Sequence, residues 1–296
     1  MKKCIAFSLL IFFTSLLSYA NDTFSLSITP HTGLTVGQFD EILYDSEGTM
    51  CSLLEWEQKP LLNLGLSTDL QINRFIISSG FEYGIQLGNP KMHDSDWNNG
   101  QKYRYTTHPL KSSQEINTEL SLTFQLYSDY MISILPEIQL QYMYDSFKAD
   151  KGVGIRYENE IRVYGIDYSR HTFSVFTGLG FGFNIKKILT FNTIFMIAPY
   201  TYQYSYDYHH GVKHPFTSEA IQESNFSKFK LNNEVIFKIN EKLNLNFYSS
   251  LLFGNLNQGL FYTDYFTEKI TFCSDQKSGS NIKSAKFGIA TKIKFF

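Results

Sequence analysis

Three cysteines, Cys4, Cys51 and Cys273, and 7 prolines are scattered through 296 residues. With Cys4 set in the leader described below, the mature part can close one disulfide at most. So few prolines leave little to interrupt extended backbone. Basic charge is also short: taking Lys2 and Lys3 from the 26 basic residues leaves 24 against 28 acidic ones. No basic field exists to neutralise phosphates, which excludes a nucleic-acid partner. Beyond the N-terminus no apolar run reaches the ~20 residues that a membrane helix needs.

The N-terminus itself reads as a secretory leader. Lys2 and Lys3 precede an apolar run from Cys4 to Leu17, followed by Ser18-Tyr19-Ala20. A basic start, a short apolar centre and a small-x-small end make residues 1–20 a signal peptide. The exported part is rich in what the chain does have, 27 Phe and 20 Tyr, and aromatic residues favour strands.

Successive side chains of a strand face opposite sides, so alternation is the test. Phe75, Ile77, Phe81, Tyr83, Ile85 and Leu87 share one parity, whereas Glu82, Gly84, Gln86 and Gly88 share the other. The same split recurs at Ile116–Leu126, Ile132–Gln141, Lys228–Ile239 and Leu243–Phe253. A secreted sandwich buries the apolar face, and a membrane barrel turns it to lipid around a polar lumen. The connections separate these two readings. Short polar links near residues 71–74, 128–130, 184–187 and 240–242 alternate with long ones near 38–51, 89–112, 148–164, 206–224 and 264–281. That is the turn-below, loop-above pattern of an outer-membrane protein. The expectation is an all-β fold: a closed antiparallel transmembrane barrel of about ten strands over residues 21–296, with short periplasmic turns and long extracellular loops. The expected state is a monomer in contact with outer-membrane lipid. Cys51 and Cys273 then share a rim near the seam of the barrel, where a disulfide is feasible.

Two short segments carry chemistry. Met92-His93-Asp94-Ser95-Asp96-Trp97 sets two carboxylates one residue apart, and Asp207-Tyr208-His209 sets an acid and an imidazole at the same spacing. On extended backbone each pair faces one space. Asp94 and Asp96 fall in the second long loop, and Asp207 and His209 at the top of the seventh strand, nearly opposite in a ring of ten. Asp207 can orient His209 as a general base toward water, while two close carboxylates favour holding one proton between them. Alternation counted from Leu189 turns Asp207 outward, so the reading requires a bulge near Pro199. A calcium loop fits poorly, because glycine falls at the seventh place (Gly100) rather than the sixth and Tyr105 stands where a glutamate should close it. His209, His210 and His214 match no zinc spacing, so no metal is expected.

Met92-x-Asp94-x-Asp96-Trp97 and Asp207-x-His209 resemble the two catalytic segments of the omptins, outer-membrane endopeptidases with ten-stranded barrels. Ser52-x-Leu54-x-Trp56, Glu41-x-x-Tyr44 and His108-Pro109 also have counterparts there. The resemblance implies cleavage of peptide or protein substrates at an exterior-facing site. A water would be activated by Asp207 and His209 opposite Asp94 and Asp96, with Glu41 receiving a basic substrate side chain. Many omptins carry a second acid two residues before the catalytic aspartate, where this chain has Ser205, so the basic preference is weakened or altered, with Glu41 acting alone. No cofactor is implied beyond dependence on lipopolysaccharide, whose binding residues are not recognisable near Tyr142–Phe147. The alternative reading is a barrel without catalysis, an adhesin or narrow pore.

Overall fold

The computed structural model describes residues 24–186, 188–211, 215–265 and 270–295, with the side chains at 257, 258, 265 and 270–276 left out. The leader 1–20 and His214 lie outside the described residues. So does the pairing of Cys51 with Cys273, because the side chain at 273 is not described.

Among the described residues fifteen strands follow one another: β1 (Phe24–Tyr44), β2 (Met50–Ile72), β3 (Phe75–Gln86), β4 (Lys91–Asn98), β5 (Gln101–Phe124), β6 (Tyr127–Ser128), β7 (Ile132–Ala149), β8 (Gly152–Arg156), β9 (Asn159–Val163), β10 (Ile166–Ile185), β11 (Leu189–His209), β12 (Phe216–Ser224), β13 (Lys228–Lys238), β14 (Leu243–Tyr265) and β15 (Ile270–Lys294). β3 with β4, and β12 with β13, each serve as one rung, which gives a ring of about ten antiparallel strands. β1 pairs β15 from Ser27↔Lys294 to Tyr44↔Lys277 and so closes the ring. The expected long loops are mostly strand continued above the membrane. The first shrinks to the turn between Tyr44 and Met50, and Asp94 and Asp96 lie on β4 rather than in a loop.

Burial settles the direction of the alternation. Leu64, Leu66, Phe81, Leu120, Leu122, Phe195, Phe247 and Phe287 are exposed on the outside, while Asn63, Glu82, Glu115, Gln139 and Lys230 are buried inside. Apolar out and polar in is the arrangement that lipid imposes. Lysines brace the lumen across the ring: Lys230 Nζ meets Glu119 at 2.6 Å, Lys292 Nζ meets Asp69 at 2.6 Å, and Lys286 pairs with Glu82. A cavity of about 340 Å³ lined by Glu82, Glu115, Lys230 and Lys286 remains among them.

Above that cavity a layer of side chains crosses the lumen. On one half Trp56 stacks on Tyr168 at 5.2 Å between ring centroids, and Phe147 and Phe39 pack against them. On the other half Gln203 Nε2 donates to Gln222 Oε1 (2.9 Å) and Ser280 Oγ (3.0 Å), and Gln222 Nε2 donates to Ser278 Oγ. Arg170 joins the aromatic half. Its guanidinium lies 3.7 Å from the Phe39 ring centroid, and its Nε donates to Asp145 Oδ2 at 2.9 Å. Both charged groups are buried. Removing one partner strands the other charge in a low dielectric. Arg170→Met is therefore expected to cost about 3–5 kcal/mol in urea unfolding of the refolded protein. Arg170→Met combined with Asp145→Leu should recover most of that loss.

Candidate active site

One row of cross-strand partners carries half of the site. Glu41 pairs with Leu54, Leu54 with Asp94, Asp94 with Thr106 and Thr106 with Gly154. Glu41, Asp94 and Thr106 are all buried, so this row presents its side chains inward just above the aromatic layer. Asp94 and Asp96 share that face, as their spacing requires.

The hairpin that bears them is closed by Asn99-Gly100, both with positive φ (48° and 74°), the backbone that a two-residue type I′ turn demands. Plain pairing outward from that turn would set Tyr103 opposite Asp96. The register instead slips between Asp96 and Trp97, so that Trp97 faces Lys102 and Asp96 faces Arg104. This bulge at Tyr103 brings Arg104 and Thr106 onto the face of the acids. Arg104 then clamps both carboxylates, with Nη2 3.2 Å from Asp94 Oδ2 and Nη1 3.0 Å from Asp96 Oδ2. Burial and the neighbouring Asp96 push the Asp94 carboxyl up to about 6, against the pull of Arg104 and His209.

The second half stands on β11 and depends on a second bulge. β10 and β11 lose register between Val175↔Tyr200 and Thr177↔Ile197, which places one extra residue on β11 at Ala198–Pro199. Below it Met196 and Ala198 point inward, and above it Thr201, Gln203, Ser205 and Asp207 do. The bulge that the sequence required is present. It turns Asp207 into the lumen.

Asp207 is held at both oxygens. Oδ1 accepts the Ser218 backbone N–H at 2.9 Å, and Oδ2 lies 3.1 Å from His209 Nε2. The His209 ring stacks on Phe216, with centroids 4.0 Å apart and planes 14° from parallel. An oxygen that can only accept fixes the Nε2–H tautomer and leaves Nδ1 as the basic atom.

The two halves converge. The charge of His209 bears on Asp94 across the cleft, and that of Asp207 bears on Glu41. Burial, then Asp207, raises the Glu41 carboxyl well above the usual range, with Arg170 opposing. Ser205 is buried beneath, near the Tyr168 hydroxyl. Cys51 lies on β2 next to this rim, where burial and the charges of Asp45 and Asp96 raise its thiol. Among the described residues no cluster of His, Cys, Asp or Glu has the arrangement of a metal site.

Nothing in the sequence alone marks Arg104, Thr106 or Ser218. The Asn99-Gly100 pair was a signal for the hairpin. It leads to Arg104 only when the bulge is known. Ser218 acts through its backbone, which leaves no trace in side-chain chemistry.

Comparison with known proteins agrees with this architecture. The crystal structure of the outer membrane protease OmpT from Escherichia coli superposes with a TM-score of 0.81, at 14% identity, covering 93% of this chain and 99% of that one. Neisserial surface protein A gives a TM-score of 0.34 at 7% identity, covering 93% of this chain and all of that one. No curated protein matches in sequence. The chain is an outer-membrane β-barrel. The family model described as the Omptin family matches residues 21–295, and the chain belongs to that family.

Proposed function

We propose that this protein is an outer-membrane endopeptidase that hydrolyses peptide bonds of protein or peptide substrates at its exterior rim. The observation that carries the reading is the Asp207–His209 pair, 3.1 Å apart, on the wall opposite two clustered carboxylates. Family membership supports it, as does the likeness in fold to a protein described as an outer membrane protease.

In this mechanism neutral His209 takes a proton through Nδ1 from a water bound between it and the Asp94–Asp96 pair. Asp207 holds the ring in place and stabilises the imidazolium that forms. The water attacks the peptide carbonyl directly, with no covalent intermediate. In its protonated form Asp94, whose carboxyl is raised to about 6, donates to the developing oxyanion, and Arg104 offsets the charge gathered there. His209 then returns its proton to the departing amine. No cofactor takes part in these steps.

Glu41 is the proposed receptor for a basic side chain beside the scissile bond. Buried beside Asp207, it gains little from ionising alone. An arriving Lys or Arg supplies the counter-charge that makes ionisation favourable. Ser205, where a second acid would deepen the pocket, adds only a hydroxyl.

Asp207→Asn and His209→Ala are each expected to lower cleavage by roughly 10²–10⁴-fold, with the barrel still heat-modifiable on gels. Cleavage at the original rate by the His209 variant would remove the mechanism. Glu41→Gln is expected to reduce kcat/KM for peptides with Lys or Arg at the cleaved bond about tenfold, measured against matched neutral peptides. An unaltered library profile would take Glu41 out of the pocket.

A further inference from the structure

His108 is a buried imidazole that the mechanism leaves unused. It stands two residues beyond Thr106 on β5, so both side chains face the lumen, and both are fully buried. Nδ1 lies 2.8 Å from the backbone carbonyl of Asp150. A carbonyl accepts and never donates, so Nδ1 carries a proton. Nε2 lies 3.1 Å from Thr106 Oγ1, and the same Oγ1 lies 3.3 Å from Asp94 Oδ2. The ring is sealed from above by β8: a Cβ at Gly152 would come within 2.6 Å of the imidazole. No side chain fits between that strand and the ring.

The Thr106 hydroxyl has one hydrogen and two neighbours that can accept it. With one proton shared between Asp94 and His108 Nε2, both contacts are satisfied together in two ways only. In one, Asp94 is a carboxyl that donates to Thr106, and Thr106 donates to neutral His108. In the other, Asp94 is a carboxylate that accepts from Thr106, and His108 is an imidazolium that donates from Nε2. The two arrangements hold the same number of protons. They interconvert when the Asp94 proton moves to Thr106 Oγ1 while the Thr106 hydroxyl proton moves to His108 Nε2.

We propose that Thr106 and His108 form a proton relay to Asp94, which lets that side chain switch between carboxylate and carboxyl within the cleft without exchanging a proton with solvent. This deepens the peptidase reading and rests on it. Asp94 holds the attacking water as an acceptor, then becomes a donor as negative charge develops on the carbonyl oxygen, the proton returning from His108. Thr106 and His108 are positioning residues, since only Asp94 meets the reacting atoms. The charged groups facing the relay are Asp96 on β4, Arg104 on β5 and His209 on β11 around Asp94, and Arg104, His93 and His209 around His108. Burial lowers the imidazole and raises the carboxyl to about 6. The two shifts run in opposite directions, against the ordinary gap between a carboxyl and an imidazole.

The test is a double-mutant cycle read by infrared titration of the protonated Asp94 carboxyl, a band identified by its loss in Asp94→Asn. His108→Asn keeps an N–H for the Asp150 carbonyl and removes Nε2. The expected result is a shifted Asp94 titration in His108→Asn, no further shift when His108→Asn is added to Thr106→Val, and a wild-type titration in Thr106→Ser. In parallel, Thr106→Val should lower kcat roughly tenfold or more with KM little changed, and Thr106→Ser should restore it. An equal His108→Asn shift with and without Thr106, or no shift at all, overturns the relay. The band does not require turnover. A relay intact in a protein that cleaves no peptide would therefore reject the peptidase reading while leaving the wiring in place.

Discussion

A strand in a closed barrel offers each residue one of two environments, lipid or lumen, and alternation assigns them in turn. Everything at the rim depends on how the chain departs from that alternation. One extra residue at Ala198–Pro199 on β11 sends Asp207 inward. Another at Lys111 on β5, where the register with β7 shifts between Leu110 and Ser112, turns Thr106 and His108 inward above Ser113 and Glu115. Remove either, and a polar group moves from the cleft to the outer wall, because a one-residue slip exchanges the two faces of a strand.

This explains which parts of the molecule could be read from the residues. The barrel was legible because Phe75–Leu87 and Leu243–Phe253 repeat a strict two-residue pattern that sequence displays directly. Asp94, Asp96, Asp207 and His209 were legible because i, i+2 spacing on a strand puts two groups in one space. The Pro199 bulge could be demanded from the parity of Leu189–Ile197 against Asp207. The bulge at Tyr103 could not, since nothing in Lys102-Tyr103-Arg104 marks the place where the register slips. Arg104 therefore stayed hidden, and two acids that would otherwise repel are joined by a guanidinium. The upper segments read as loops because their charges and tyrosines blur the alternation, although they remain strand.

The site combines rigidity with charge. Ser218 fixes Asp207, Asp207 fixes His209, and Phe216 fixes the plane of the ring. On the opposite wall Arg104 fixes the acids and β8 seals His108. Dipoles and charges held in place before the reaction need no reorganisation during it. Strands paired on both sides provide that better than mobile loops do.

The layer of Phe39, Trp56, Phe147 and Tyr168, completed by Gln203, Gln222 and Ser280, has a consequence beyond support. It sets aromatic rings and amides between the row of Glu41, Asp94 and Thr106 and the lysine struts beneath. A charge exchanged among those struts then meets the cleft only across that tier, so the lower wall can drift in sequence with little disturbance to the acids at the mouth.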